Sequence, residues 1–492
     1  MTSPVVIASE RIEAAALGGD VTVSGVGKVR TLDCGARVRA NLTADAPVAL
    51  CGGAHGLDPT LRPGQLVVAT ELRATDGHPP LPLPSGALVA RDLQRLGLDV
   101  RCGPIVSASE PLSADQSSIS ASAGALAWDT ESAWLAQQLP GHPVVVVRTV
   151  VDTAQDTTIL TYLRAMGSLI GLRPTLGRWA RASRSHELHL AASRSFCAGV
   201  ERAIEIVERA LEKFGRPVYV RRQIVHNAHV VADLEARGAI FVVELDEVPD
   251  GATVVLAAHG VSPAVRSAAA ARPDLRVIDA TCPLVAKVHH EARRYLAQDY
   301  QIVLVGHAGH EEVIGTMGED PARISLVQES RDVAALALEQ HERVAYLTQT
   351  TLATDETAEV VAALQQRFPR LVGPRSQDIC YATQNRQDAV RALAHECELV
   401  LVVGSANSSN TARLVEVARR AGRRAELVED ASDLRLGWLD GVSRVGLTAG
   451  ASAPDALVTE LVDTLRLLGP ITLNEHRTTN ETVQFSLPRQ VR

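Results

Sequence analysis

VVLAAHGVS (Val254–Ser262), RVIDATCPLVAKVHHE (Arg276–Glu291) and IVLVGHAGHEEVIGTMG (Ile302–Gly318) follow one another in the chain and share one plan. In each, four or five apolar residues with the pattern of a buried strand run into a polar cluster, and a helical pattern follows. The clusters are His259-Gly260, Thr281-Cys282-Pro283 and His307 to Glu312. Polar residues at the C-terminal ends of successive buried strands predict an open α/β sheet with a shared crevice, the place where such sheets bind ligands.

The plan extends outward. LHLAAS (Leu188–Ser193) predicts a strand and leads into RSFCAGVERAIEIVERALEKFG, where Val200, Ile204, Val207 and Leu211 form a helical stripe closed by Gly215. Cys197 therefore falls at a strand-to-helix turn. VAYLTQTT (Val344–Thr351) ends in hydroxyls and an amide, Cys380 stands just ahead of a helix in SQDICYATQNRQDAVRALA, and Glu398–Gly422 and Val445–Val462 each repeat strand, hydroxyl-rich loop and helix. Cys197, Cys282 and Cys380 are spaced roughly 90 residues apart, which suits three similar sub-units around one centre, each giving one thiolate.

Three cysteines from three turns, with no local CxxC pair, do not match a structural zinc site with its short ligand spacings. Three thiolates on an iron-sulfur cubane would leave one iron open to a substrate oxygen. Any one of these cysteines alone reads as a small core residue; their equivalent settings favour a shared centre. Cys34, Cys51, Cys102 and Cys397 lack that setting and read as packing residues. His226, His259, His310, Thr350, Ser408, Ser409, Asn410 and Ser452 supply neutral donors, a set that can hold a diphosphate beside helix N-termini without a P-loop lysine. The Ser-Ser-Asn run reads equally as a plain helix cap. No GxxxxGK[ST] occurs, which argues against ATP hydrolysis. Glu312, or its neighbour Glu311, is the acid that could relay a proton to a leaving hydroxyl.

FCAGVERAI, VHN, AHGVS, DATCPLVAKVH, GHAGHEEVIGTMG, TQTTL, DICYATQNRQ, VGSANSSNT and TAGASAP together resemble the 4-hydroxy-3-methylbut-2-enyl diphosphate reductase family, from about Glu187 to the C-terminus. The resemblance implies three pseudo-symmetric α/β lobes around one [4Fe-4S] cluster held by Cys197, Cys282 and Cys380. His226, His259, Ser408, Ser409, Asn410 and Ser452 match diphosphate-binding positions, and His310, Glu312 and Thr350 match positions that handle the substrate hydroxyl and its protons. It implies two-electron reductive dehydroxylation of (E)-4-hydroxy-3-methylbut-2-enyl diphosphate to isopentenyl and dimethylallyl diphosphate, the last step of the methylerythritol phosphate route to isoprenoids, with a ferredoxin or flavodoxin as electron donor. Ala191 to Ser195 and Ala406 depart from the family pattern without touching a ligand position. Two other classes share the residue pattern: a cluster-bearing dehydratase, which needs no electrons, and an iron-sulfur sensor or assembly partner, which needs no diphosphate pocket.

The first 175 residues read as a separate α/β unit with a mostly parallel sheet: a strand at Val5–Ser9, a turn at Gly25 to Lys28, strands within Ala46–Pro59, Gly64–Leu72, Gly103–Pro111 and Pro143–Ala154, and a helix over Ala87–Leu98. Gly52-Gly53, Gly64-Gln65, Thr130-Glu131-Ser132 and Val151-Asp152 resemble the nucleoside phosphorylase and nucleosidase family. That resemblance implies ribose binding by Glu131 and protonation of a leaving purine by Asp152. Thr130, Val151 and Gln65 depart from the family's usual residues, so a docking domain is the other reading. Residues 176–186, within a Pro-, Gly-, Ser- and Arg-bearing stretch, read as a linker, and 187–492 as the reductase domain.

The chain's 492 residues predict about three domains by length alone. A net charge of −8 with both signs interspersed gives no basic footprint for nucleic acid or anionic membrane. The odd, scattered set of seven cysteines suits a reducing compartment better than a disulfide framework. With no secretory pattern at the start and no membrane-length apolar run, the expectation is a cytoplasmic enzyme.

Overall fold

A computed structural model describes residues 4–8, 10–17, 21–24, 28–43, 46–152, 159–339 and 343–492. The turn expected at Gly25 to Lys28 lies outside them except for Lys28, as do Ser9, Thr153 and Ala154 at the ends of two expected strands. The chain forms two compact units. Unit 1 comprises 1–187, 434–443 and 462–472; unit 2 comprises 188–433, 444–461 and 473–492.

In unit 1 the strand Val48–Gly56 pairs with Ala127–Asp129, which pairs with Val100–Ser107, then Leu66–Ala74, then Val144–Asp152, which returns to Val48–Gly56. Five strands thus close a ring around Leu50, Val67, Ile105 and Val146, all buried. The sheet is mostly parallel, as expected: three of the ring's five pairings are parallel and two are antiparallel. Closure removes the free edges on these strands.

The stretch expected as a linker is helical. Leu172–Ala182 forms a helix with Leu172, Leu176, Trp179 and Ala180 buried at i, i+4, i+7 and i+8. Pro174 is tolerated because it lies in the first turn, where the amide has no helical partner. Trp179 Nε1 donates to Ser85 Oγ at 3.1 Å, Arg178 pairs with Asp92 at 2.8 Å, and Arg181 pairs with Asp440 at 2.5 Å. The last contact helps explain why 434–443 belongs to unit 1.

Unit 2 has three sheets. One is parallel throughout, ordered Ala239–Val242, Val218–Arg221, Thr253–Leu256, Arg276–Asp279. The second, also parallel, is ordered Ile324–Val327, Gln301–Val305, Val344–Thr348. The third is ordered Arg424–Val428, Leu399–Val403, Arg444–Ala449, His186–Ala191, Ile471–His476. The Val, Leu and Ile content of Thr253–Leu256, Gln301–Val305 and Leu399–Val403 fits their burial on both faces.

The connections between these sheets position the site. Cys197 is the N-cap of helix Ala198–Phe214, which leaves the third sheet and packs on the first. Cys282 is the N-cap of Pro283–Leu296, which leaves the first and packs on the second. Cys380 is the N-cap of Tyr381–Glu396, which follows the second sheet and packs on the third. Each thiol sits where the chain crosses from one lobe to the next. No helix among the described residues is long and apolar enough to cross a membrane.

Candidate active site

One cavity in unit 2 is lined by Cys197, Cys282, Cys380, His226, His259, His310, Glu312, Thr350, Ser408, Ser409, Asn410 and Ser452. Residues expected from nine separate motifs therefore meet. Glu311 is not among them; it stands 3.7 Å from Arg222 Nη1. Of the four cysteines read as packing residues, Cys34, Cys51 and Cys397 are buried, whereas Cys102 is exposed.

The three thiols line one space. A Cβ at Gly199 would stand 2.7 Å from Cys282 Sγ and 3.8 Å from Cys197 Sγ, so the missing side chain keeps open the space both sulfurs face. Burial pushes the Cys282 thiol up to about 12 and Cys380 up to about 11, and neighbouring thiolates add to both. Amide donors at the helix starts, from Leu284 and Val285 to Cys282 and from Thr383 to Cys380, act the other way. Three ionised sulfurs here call for a strongly cationic partner, which iron ions would provide.

Beside the thiols, three imidazoles cluster. His226 and His259 stack with centroids 4.1 Å apart, and His310 stands edge-on to them at 5.5 and 5.9 Å. Burial depresses all three: His226 lies below its ordinary value, His259 well below with His226 and His310 adding, and His310 falls to about 4. Neutral rings result. His226 Nε2 and His259 Nδ1 are buried with no hydrogen-bond partner among the described residues, an arrangement that an anionic ligand would satisfy. Ser452 Oγ donates to the His226 carbonyl at 3.0 Å and lies 3.3 Å from Ser408 Oγ. Ser408 caps helix Ser409–Arg420, whose N-terminal dipole faces the same space.

Glu312 is buried and meets no cation among the described residues. Its Oε1 accepts from Thr350 N at 2.8 Å and its Oε2 from Thr350 Oγ at 2.9 Å. Burial raises its pKa to about 7, while the two Thr350 bonds pull against the rise and Asp378 adds to it. A carboxyl that titrates near neutrality is suited to giving and regaining a proton.

Several supporting residues carry no role in the sequence reading. Thr383 N and Oγ lie 3.3 and 3.1 Å from Cys380 Sγ, and Asn410, whose Oδ1 accepts from Ala451 N at 2.9 Å, reaches Thr383 Oγ at 3.4 Å. The Cys-x-x-Thr spacing of an N-cap was the available signal. Gln349 accepts from His307 N at 3.0 Å and donates to Thr351 Oγ at 2.7 Å. Arg386, almost wholly buried, donates to the Ser195 carbonyl at 2.7 Å and pairs with Glu481 at 2.9 Å, tying the helix behind Cys380 to the approach to Cys197.

In unit 1 the two candidates are placed differently. Glu131 is buried against Arg148 Nη2 at 2.8 Å, with Asp129 on the same guanidinium at 3.0 Å. Burial would depress Arg148, but the carboxylates outweigh it and hold the group above its ordinary value. Asp152 Oδ1 lies 2.6 Å from His55 Nδ1, and the His55 ring stacks on Trp128 with centroids 4.3 Å apart. Glu13, passed over in the sequence, accepts from Gly53 N at 2.6 Å. Gly52 pairs with Arg148 at mid-strand, and His55 pairs with Asp152 at the C-terminal ends of the same two parallel strands.

Residues 188–466 match the family model described as LytB protein. The chain is 57% identical over 312 residues to the 4-hydroxy-3-methylbut-2-enyl diphosphate reductase of Cutibacterium acnes, covering 63% of this chain and 96% of that one. A solved structure of the E-1-hydroxy-2-methyl-but-2-enyl-4-diphosphate reductase from Plasmodium falciparum superposes with a TM-score of 0.60 at 38% identity, covering 63% of this chain and 97% of that one. A 5'-methylthioadenosine/S-adenosylhomocysteine nucleosidase from Helicobacter pylori aligns at 19% identity and a TM-score of 0.32, covering 36% of this chain and 96% of that one.

Proposed function

Because the chain belongs to the LytB family of 4-hydroxy-3-methylbut-2-enyl diphosphate reductases, iron-sulfur oxidoreductases of isoprenoid biosynthesis, we propose that the unit 2 cavity carries out the last step of the methylerythritol phosphate route. In that step the allylic alcohol takes up two electrons and two protons, its C–O bond breaks, and water leaves with isopentenyl or dimethylallyl diphosphate. A [4Fe-4S] cluster held by Cys197, Cys282 and Cys380 would supply electrons singly and an open iron as Lewis acid. A ferredoxin or flavodoxin would be the donor to it.

The protein's own groups do the rest. His226, His259, Ser408, Ser409, Asn410 and Ser452 bind the diphosphate, whose charge favours protonation of imidazoles that burial keeps neutral in its absence. Glu312, with Thr350 bonded to both of its oxygens, gives the departing hydroxyl its proton. His310, whose Nδ1 accepts from Glu312 N at 3.2 Å, fixes the turn that presents the acid.

The observation that carries this reading is the carboxyl of Glu312, buried without a cation and titrating near 7, in the cavity that also holds the three thiols. Anaerobic purification, iron and sulfide counts and a turnover assay with and without reductant test it. Turnover that needs no reductant would instead favour a dehydratase.

A second reading concerns unit 1. The gathering of Glu131, held by Arg148, with Asp152 and an aromatic ledge of His55 on Trp128 supports cleavage of a nucleoside there, with Glu131 at the ribose and Asp152 protonating the base. Release of free base from a nucleoside panel by the full chain tests it.

A further inference from the structure

Outside the cavity, three ligand-type side chains of unit 2 converge. His189 Nδ1 lies 2.7 Å from His476 Nε2; Glu396 Oε2 lies 3.3 Å from the first nitrogen and 3.7 Å from the second. The imidazole planes differ by 28° and their centroids stand 4.8 Å apart, so the rings approach edge to edge with nitrogen facing nitrogen. His189 is buried, His476 partly so, and Glu396 exposed at the end of its helix. None of the three lines the cavity.

Three atoms each about 2.0–2.2 Å from a tetrahedral centre stand roughly 3.3 Å apart, close to the mean of the observed triangle. Two imidazole nitrogens and one carboxylate oxygen form a His₂Glu donor set, which leaves the fourth position to water at the exposed side. Glu396 is the last residue of helix Tyr381–Glu396, where the helix dipole also favours a cation. We propose that His189, His476 and Glu396 form a binding site for a divalent cation of the zinc class. The cation joins strand His186–Ala191, strand Ile471–His476 and the C-terminal end of the helix that Cys380 caps.

The test uses the full chain with its cluster loaded, equilibrated anaerobically with micromolar zinc and desalted, and counts zinc against iron. The wild type retains one zinc per chain, and X-ray absorption shows nitrogen and oxygen neighbours at about 2.0–2.1 Å without sulfur. Glu396→Gln, at an exposed position, weakens retention at least about tenfold, and His476→Ala weakens it beyond the roughly 10–100-fold that loss of an outer-shell partner costs. Circular dichroism verifies that both variants are folded. Zinc retained equally by wild type and variants, a sulfur shell, or no zinc bound by the wild type would each overturn the site and leave a simple N–H···N bond between the histidines.

Discussion

Two buried glutamates stand at helix starts in this chain, Glu312 in unit 2 and Glu131 in unit 1, and their partners divide them. Glu131 faces a guanidinium that it shares with Asp129. Glu312 faces a threonine amide and hydroxyl, and the charge of Asp378 adds to the rise that burial causes. Equal burial thus produces opposite chemistry. A carboxylate fixed beside a cation holds its charge and suits binding; a carboxyl left among neutral donors holds its proton up to about neutrality and suits transfer.

The contrast can be broken at several points, with effects of decreasing size. Cys282→Ser removes one of three thiols, and both cluster absorption and reductase turnover should fall to background; full iron content would remove Cys282 from the ligand set. Glu312→Gln keeps shape and burial but has no proton to give. Turnover should drop by about 10²–10⁴-fold with the visible spectrum intact. Near-normal rates would reduce Glu312 to a structural acid.

Arg148→Met strands two buried carboxylates. Urea unfolding should show a loss of about 3–5 kcal/mol, and an unchanged midpoint would mean that the unit 1 charges are already solvated. Asp152→Asn should cut base release by the full chain about 10²-fold; its failure to do so would separate Asp152 from any nucleoside chemistry.

Thr350→Val sharpens the comparison most finely. The lost hydroxyl had favoured the ionised form, so the Glu312 pKa rises further above 7. Since the protonated form is the active one, the alkaline limb of the kcat profile moves up by about one unit. A downward shift would contradict the assigned bond.

The local pattern of apolar run, Gly or Pro, and reactive side chain was enough to place the cavity, because a thiol or imidazole at a strand's C-terminal end is brought to the crevice by the strand itself. Cys197, Cys282, Cys380, Glu312 and the histidine trio were legible for that reason. Thr383, Arg386 and Gly199 were not assigned, because their roles depend on atoms that are distant in sequence or on a side chain that is missing. The helix Leu172–Ala182 was hidden by its proline and glycine, although its leucines and tryptophan carry the period. The ring of strands in unit 1 depends on long-range pairing, and the inclusion of 434–443 in that unit on contacts such as Arg181 with Asp440, neither of which a local window reports.

The three helix caps at Cys197, Cys282 and Cys380 carry one more implication. Since each lies on a different passage from sheet to sheet, an inorganic cube seated among them would act as a keystone, pinning three seams with one insertion. Assembly of the cube would then come after the lobes have closed on one another, and its oxidative loss would loosen the arch at every joint together.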